Sequence, residues 1–155
     1  MAETADLDEV ARRALRLLAR REHSRRELEL KLGRHFPTPL IEAALDELAE
    51  RNLQSDARFA EAYVRSRRDK GFGPLRIRAE LQERGIDTSL LDHHLNEEDP
   101  AWRRAMAALV ERKFGDRPPA DRREAARRAR FLAQRGFPHH WINVHLFDRP
   151  HSIDG

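Results

Sequence analysis

The chain has 155 residues with no cysteine, 6% aromatic and 37% charged side chains, the size of one ordinary domain with a modest core. A disulfide scaffold and thiolate metal sites are thereby excluded, and no run of about 18 apolar residues is present that could span a bilayer. The formal net charge of +3 is unevenly spread, because residues 100–155 carry 12 basic and 6 acidic side chains while residues 1–54 and 55–99 are each slightly acidic.

The start "MAETADLDEV" is acidic and lacks a signal-peptide core, so a cytoplasmic protein is expected. From there nearly every segment reads as a short helix. "DEVARRALRLLARRE" puts Val10, Ala14, Leu17 and Leu18 on one face. Ser24 and Glu27 form a capping box ahead of "RRELELKL". Pro39 sits in the first turn of a helix whose Leu40, Ile41, Leu45 and Leu48 point inward. Ser55 or Asp56 caps "ARFAEAYVRSRRDK", with Phe59, Tyr63 and Val64 as its buried stripe. Gly71 stops that helix and Pro74 starts "PLRIRAELQER". "TSLLDHHLNEE", "AWRRAMAALVERKF", "DRREAARRARFLAQR" and "HHWINVHLFD" follow, making about nine helices.

These helices are related to one another. Leu81, Arg84, Gly85, Ile86, Leu90, Leu91 and Leu95 recur 51 residues later as Leu132, Arg135, Gly136, Phe137, Trp141, Ile142 and Leu146. Leu28, Leu32, Phe36, Leu40, Ile41 and Leu45 echo the pattern more loosely, with His35 in place of the glycine. The simplest account is an all-α fold of three tandem three-helix repeats, residues 8–54, 55–99 and 100–148, with 1–7 and 149–155 as flexible tails. Small units must bury part of each other's apolar surface, so an elongated or curved array is expected, a form that wraps partners. A single nine-helix bundle is the competing architecture.

Chemistry-bearing patterns are scarce. His93-His94 and the group His139, His140 and His145 lack the H-E-x-x-H spacing of a zinc site and read as surface or capping histidines. "GFGP" follows a helix and lacks the rest of a phosphate-binding loop; its glycines suit a tight helix-to-helix turn. No catalytic residue, metal site or cofactor is assigned, and an enzyme is not expected.

The cations are informative once sorted by whether an acid stands at helical distance. All but Lys31, Lys70 and Lys113 are arginines, whose planar fork suits phosphate and carboxylate. A GC-rich coding bias would produce the same preference. Arg76 has Glu80, and Arg127 and Arg128 have Glu124. Arg67, Arg68, Lys70 and Arg78 have no acid three or four residues away, nor do Arg122, Arg123 and Arg130. Such cations could line a common positive strip for phosphate or an acidic groove, and a solvated face with tertiary partners explains them equally well. Phe72 is either a contact residue or an anchor beneath its turn.

"REHSRRELELKL", "DARFAEAYVRSRRDKGFGPLRIRAELQERGI" and the distal "RKFGD" with "RRARFLAQRGF" together resemble the RecX family, over about residues 10–147. Two departures are visible: Phe72 stands where the family more often has tyrosine, and "RNLQSDARF" lacks the usual glycine and paired aspartates. The resemblance implies three tandem three-helix repeats and a regulator with no chemistry of its own. It implies RecA as partner, above all the RecA filament on single-stranded DNA. Lying in the filament groove, such a protein inhibits or tunes ATP hydrolysis, strand exchange and coprotease activity. The implied contact residues are Arg67, Arg68, Lys70, Phe72, Arg76 and Arg78, extended by Arg122, Arg123 and Arg130. Direct DNA contact is open, no membrane association is expected, and a monomer is favoured by the lack of a long coiled-coil stripe. Two other readings stand beside it: a nucleic-acid-binding repeat protein acting by charge alone, and an adaptor docking through the acidic helix "IEAALDELAERN".

Overall fold

Several helix starts are set by short polar side chains, while the helices beginning at Thr38 and His139 follow the prolines Pro37 and Pro138 without a side-chain cap. Ser24 accepts a hydrogen bond from the Glu27 amide at 3.1 Å while the Glu27 carboxylate accepts from the Ser24 amide at 3.1 Å, closing the capping box. Ser55 receives the Arg58 amide at 3.1 Å, Asp99 that of Ala101 at 2.9 Å, and Asp121 that of Glu124 at 2.8 Å. The computed structural model describes residues 2–147, and among them are nine helices and no strand. They are α1 (Ala2–Arg20), α2 (Arg25–Leu32), α3 (Thr38–Glu50), α4 (Asp56–Asp69), α5 (Pro74–Glu83), α6 (Thr88–His94), α7 (Pro100–Phe114), α8 (Arg122–Arg135) and α9 (His139–Leu146). Helix α1 begins inside the segment expected as a tail, and the expected tail at 149–155 lies outside the described residues.

The matched turns differ in a way that explains the looser first repeat. After α5 the Ile86 amide reaches back to Leu81 and that of Gly85 to Gln82, with Gly85 at φ +79. The turn after α8 repeats this: Phe137 bonds Leu132, Gly136 bonds Ala133, and Gly136 lies at φ +101. This paired closure needs a left-handed residue, which glycine adopts without steric cost. After α2 the Phe36 amide instead continues a helical bond to the Leu32 carbonyl at 3.0 Å, and no residue there has positive φ. That turn is one residue shorter and places no conformational demand on His35.

Two compact units emerge from the packing. One comprises residues up to Tyr63 together with Leu81–His94, the other Val64–Glu80 together with residues from Leu95 onward. The middle of the three expected segments is thus divided, with α4 and α5 each contributing to both units. In the first unit Val10 and Ala14 of α1 meet Leu28 and Leu32 of α2 and Ile41, Ala44, Leu45 and Leu48 of α3. All eight are buried, and each of the larger ones contributes about 1.5–3 kcal/mol. Leu17 and Leu18 complete the stripe of α1 only partly buried. In the second unit Trp102, Met106, Leu109 and Val110 of α7, Leu132 of α8, Phe137, and Trp141 and Ile142 of α9 are buried.

Candidate partner-binding site

Within the second unit, the turn from α4 to α5 is built around one ring. Gly71 takes φ +93, the Phe72 amide bonds back to Arg67, and Pro74 opens α5. Three guanidinium groups then converge on Phe72. Arg67 lies 3.8 Å from the ring centroid, Arg76 4.6 Å and Arg135 4.6 Å. Each such contact is worth about 0.5–2 kcal/mol, but three cations at one ring repel one another unless a counter-charge is supplied.

Glu80 of α5 supplies it. Its carboxylate accepts from Arg67 Nε at 2.9 Å and Nη2 at 2.8 Å, a fork-to-fork pair, and from Arg76 Nε at 3.3 Å. The third guanidinium is held by main chain: Arg135 Nη1 donates to the Lys70 carbonyl at 3.2 Å, and Arg76 Nη1 to the Gln134 carbonyl at 3.2 Å. Cations at the last carbonyls of α8 also favour the negative end of that helix.

Backbone joins the two turns directly. Gly73 N–H donates to the Arg135 carbonyl at 2.7 Å, and Leu75 N–H to the Gly136 carbonyl at 3.0 Å. A Cβ on Gly73 would stand 2.6 Å from the Gly136 carbonyl, and one on Gly136 2.6 Å from the Arg76 amide nitrogen. Glycine is therefore required on both sides of this contact. In the first unit the corresponding turn of the second repeat makes a like contact, where a Cβ on Gly85 would stand 2.8 Å from Arg26 Cβ.

The sequence-selected residues accordingly fall into two sets. Arg67, Phe72 and Arg76 belong to the packed turn. Arg68 is half-buried with its guanidinium 5.1 Å from the Trp102 ring centroid, and Arg78 is half-buried on α5. Lys70, Arg122, Arg123 and Arg130 are exposed. Arg122 and Arg123 open α8, at the helix end whose partial charge is positive, so they lie at an unfavourable place for cations and a favourable one for a bound anion. Arg67's partner stands 13 residues away across a turn, beyond any helical spacing rule. Glu80 and Arg135 were missed as parts of this site; the 51-residue register, which aligns Arg135-Gly136 with Arg84-Gly85, is the signal that pointed at the latter. Arg128 was expected to meet Glu124 and does, at 2.5 Å. Its burial, its bond to the Arg117 carbonyl at 2.9 Å and its place 4.9 Å from the Phe114 centroid had no sequence signal.

Among the described residues no three His, Cys, Asp or Glu side chains are grouped to hold a metal ion, and no helix is long and apolar enough to cross a membrane. His93 is exposed and His94 half-buried, their rings edge-on at 4.9 Å.

Comparison with known proteins matches three consecutive family models: the first three-helix domain of RecX over residues 12–48, the second over 55–95 and the third over 104–144. The chain belongs to the RecX family. A regulatory protein RecX of Halorhodospira halophila is 48% identical over 139 residues, covering 88% of this chain and 86% of that protein. The regulatory protein RecX of Pseudomonas entomophila is 48% identical over 129 residues, 83% of each chain. A crystal structure of a regulatory protein RecX superposes with a TM-score of 0.77 at 25% identity, over 94% of this chain and 75% of the other. RecX from Lactobacillus salivarius gives 0.75 at 22% identity, over 91% and 94%, a likeness of fold. The ring-centred turn lies within the second RecX domain, and Arg122, Arg123, Arg130 and Arg135 lie within the third.

Proposed function

We propose that this protein is a non-enzymatic, cytoplasmic regulator of the recombinase RecA. It binds RecA and its filament on single-stranded DNA, lies in the filament groove, and inhibits or tunes ATP hydrolysis, strand exchange and coprotease activity. The observation that carries the reading is the match of all three RecX domains in order, together with relatives named regulatory proteins over most of their length.

The site geometry supports a division of labour. Arg67, Phe72 and Arg76 shape the turn, with Arg68 and Arg78 flanking it. Lys70, Arg122, Arg123 and Arg130 reach outward to RecA carboxylates or DNA phosphates. The test is RecA's single-strand-dependent ATP hydrolysis, titrated with this protein well below one copy per RecA. Inhibition at substoichiometric ratios is expected, and it weakens in the variant Lys70→Ala/Arg122→Ala/Arg123→Ala/Arg130→Ala. Unchanged hydrolysis at every ratio, with equal binding to naked and RecA-coated strands, would establish the charge-driven nucleic-acid-binding reading instead.

A further inference from the structure

The first unit holds a cationic feature of its own. The C-terminal half of α1, the end of α2 and the turn that follows enclose an open cleft of about 520 Å³, a volume suited to a small ligand or a short stretch of a polymer. Arg13, Arg16, Arg20, Lys31, Arg34 and His35 line it, above an apolar floor of Leu17 and Leu32, and no carboxylate does.

A face that merely keeps a repeat soluble needs polar side chains of either sign. This one is of a single sign, in a chain that elsewhere pairs Arg25 with Asp46, Arg58 with Glu22 and Arg67 with Glu80. Among the described residues no carboxylate lies within ion-pair distance of Arg13, Arg16, Arg20 or Arg34. The spacing of Arg13, Arg16 and Arg20 stacks them on one side of α1, and like charges three and four residues apart weaken a helix. Arg20 and Lys31 have a local reason to be cationic, since each closes a helix whose end is partially negative. Arg13 has Glu9 four residues before it, though the two form no ion pair, and Arg34 follows the same end of α2 as Lys31; Arg16 has no such reason.

The repeat sharpens the point. In the second repeat the arginine of the matching turn, Arg84, lies 3.7 Å from the Glu27 carboxylate and 4.9 Å from the Tyr63 ring centroid. In the third, Arg135 is bound to the Lys70 carbonyl and packed on Phe72 and Phe131. Arg34, in the same place in the first repeat, is exposed with no such seat. Lys31 is positioned as well: its ammonium donates to buried His23 Nε2 at 2.9 Å, a neutral acceptor that orients the charge without cancelling it.

We infer that this cleft is a binding site for the phosphate backbone of a single nucleic-acid strand. Arg13 to Arg20 extends about 10 Å along the helix axis, long enough for neighbouring phosphates of one strand to meet successive guanidinium groups. The apolar floor leaves room for sugar or base beside them. The site would act on bare strands and so needs no RecA, which separates its test from that of the proposed function.

The experiment is fluorescence anisotropy of a fluorescein-labelled oligodeoxythymidine with the full chain over a salt series, using tripolyphosphate and polyglutamate as competitors. The variant Arg16→Gln/Arg20→Gln/Arg34→Gln is compared with Arg12→Gln/Arg51→Gln/Arg104→Gln, which removes the same charge outside the cleft, both checked for folding by circular dichroism. The cleft variant is expected to bind about tenfold more weakly at low salt, with the log–log salt slope reduced by about 2, as for three lost single-strand contacts. The control should stay near the parent, and tripolyphosphate should compete. Equal losses in both variants, no loss in either, or displacement by polyglutamate but not tripolyphosphate would overturn the assignment.

Discussion

Phe72 illustrates how a residue's part in a site can be invisible to local rules. The surplus of arginine around it reads in the sequence as charge offered to a partner, yet Arg67 and Arg76 are largely committed to Glu80 and to the ring. A hydroxyl at the para position is not required for this stacking. His23 is the other residue whose surroundings decide its behaviour. Burial is the main cause that holds its imidazole below the ordinary value of 6.5, helped by the charges of Arg21 and Lys31 and opposed by its bond to the Arg21 carbonyl. The unfolded chain therefore takes up this proton before the folded one does. The stability it contributes is complete above about pH 6.5 and declines as pH falls from there toward the lowered folded value. His94, lowered mainly by burial and then by His93, acts in the same direction. Urea denaturation midpoints should therefore drop between about pH 7.5 and pH 5, and the drop should shrink in His23→Gln. A midpoint independent of pH in the parent would refute the assignment.

At the scale of elements, the helices were legible because their starts and stops are chemical. Ser24 with Glu27 and Ser55 cap as their spacing suggests, Asp99 and Asp121 cap as well, and Gly71, Gly85 and Gly136 all take the left-handed turn conformation. The assembled turn was only half legible. Arg76–Glu80 obeys helical spacing and could be read directly, whereas Arg67–Glu80 and the Arg135–Lys70 bond need two segments folded side by side, which no local window contains. Lys70, Arg122, Arg123 and Arg130, which lack a near acid in the sequence, are exposed, whereas Arg67, selected by the same rule, is paired across the turn. Arg128 shows the converse, a cation that looked like surface charge and is buried. The glycine contact gives this scale its prediction. Gly136→Ala must force a Cβ against the Arg76 backbone while holding positive φ, and should cost about 1–3 kcal/mol in chemical denaturation. Gly136→Asn tolerates the left-handed backbone better than alanine does but brings the same Cβ, so it should cost about as much. A cost that vanishes in Gly136→Asn would show that strain, and not the close approach, sets the penalty.

For the whole molecule, three repeats of similar sequence have come to different uses. The second and third present their turn arginines inward, to Glu27 and to Phe72, while the first leaves Arg34 facing a cleft. Residues 100–155 carry 12 basic and 6 acidic side chains, and among the basic ones Arg122 and Arg123 open α8. The packing units cut across the repeats, because the segment 64–80 is folded in with the residues from Leu95 onward. The main-chain bonds from Gly73 and Leu75 to Arg135 and Gly136 are part of that folding. Their consequence lies in time as well as in space. Amides of turns and of the first turn of a helix ordinarily trade their hydrogens with water quickly, whereas these two can do so only when the end of α8 lifts away. In a deuterium-exchange experiment they should therefore keep pace with the slow amides of α8, more than fifty residues distant in the chain. One turn position, Gly73, and one in the first turn of α5, Leu75, would then serve as clocks for the opening of the third repeat.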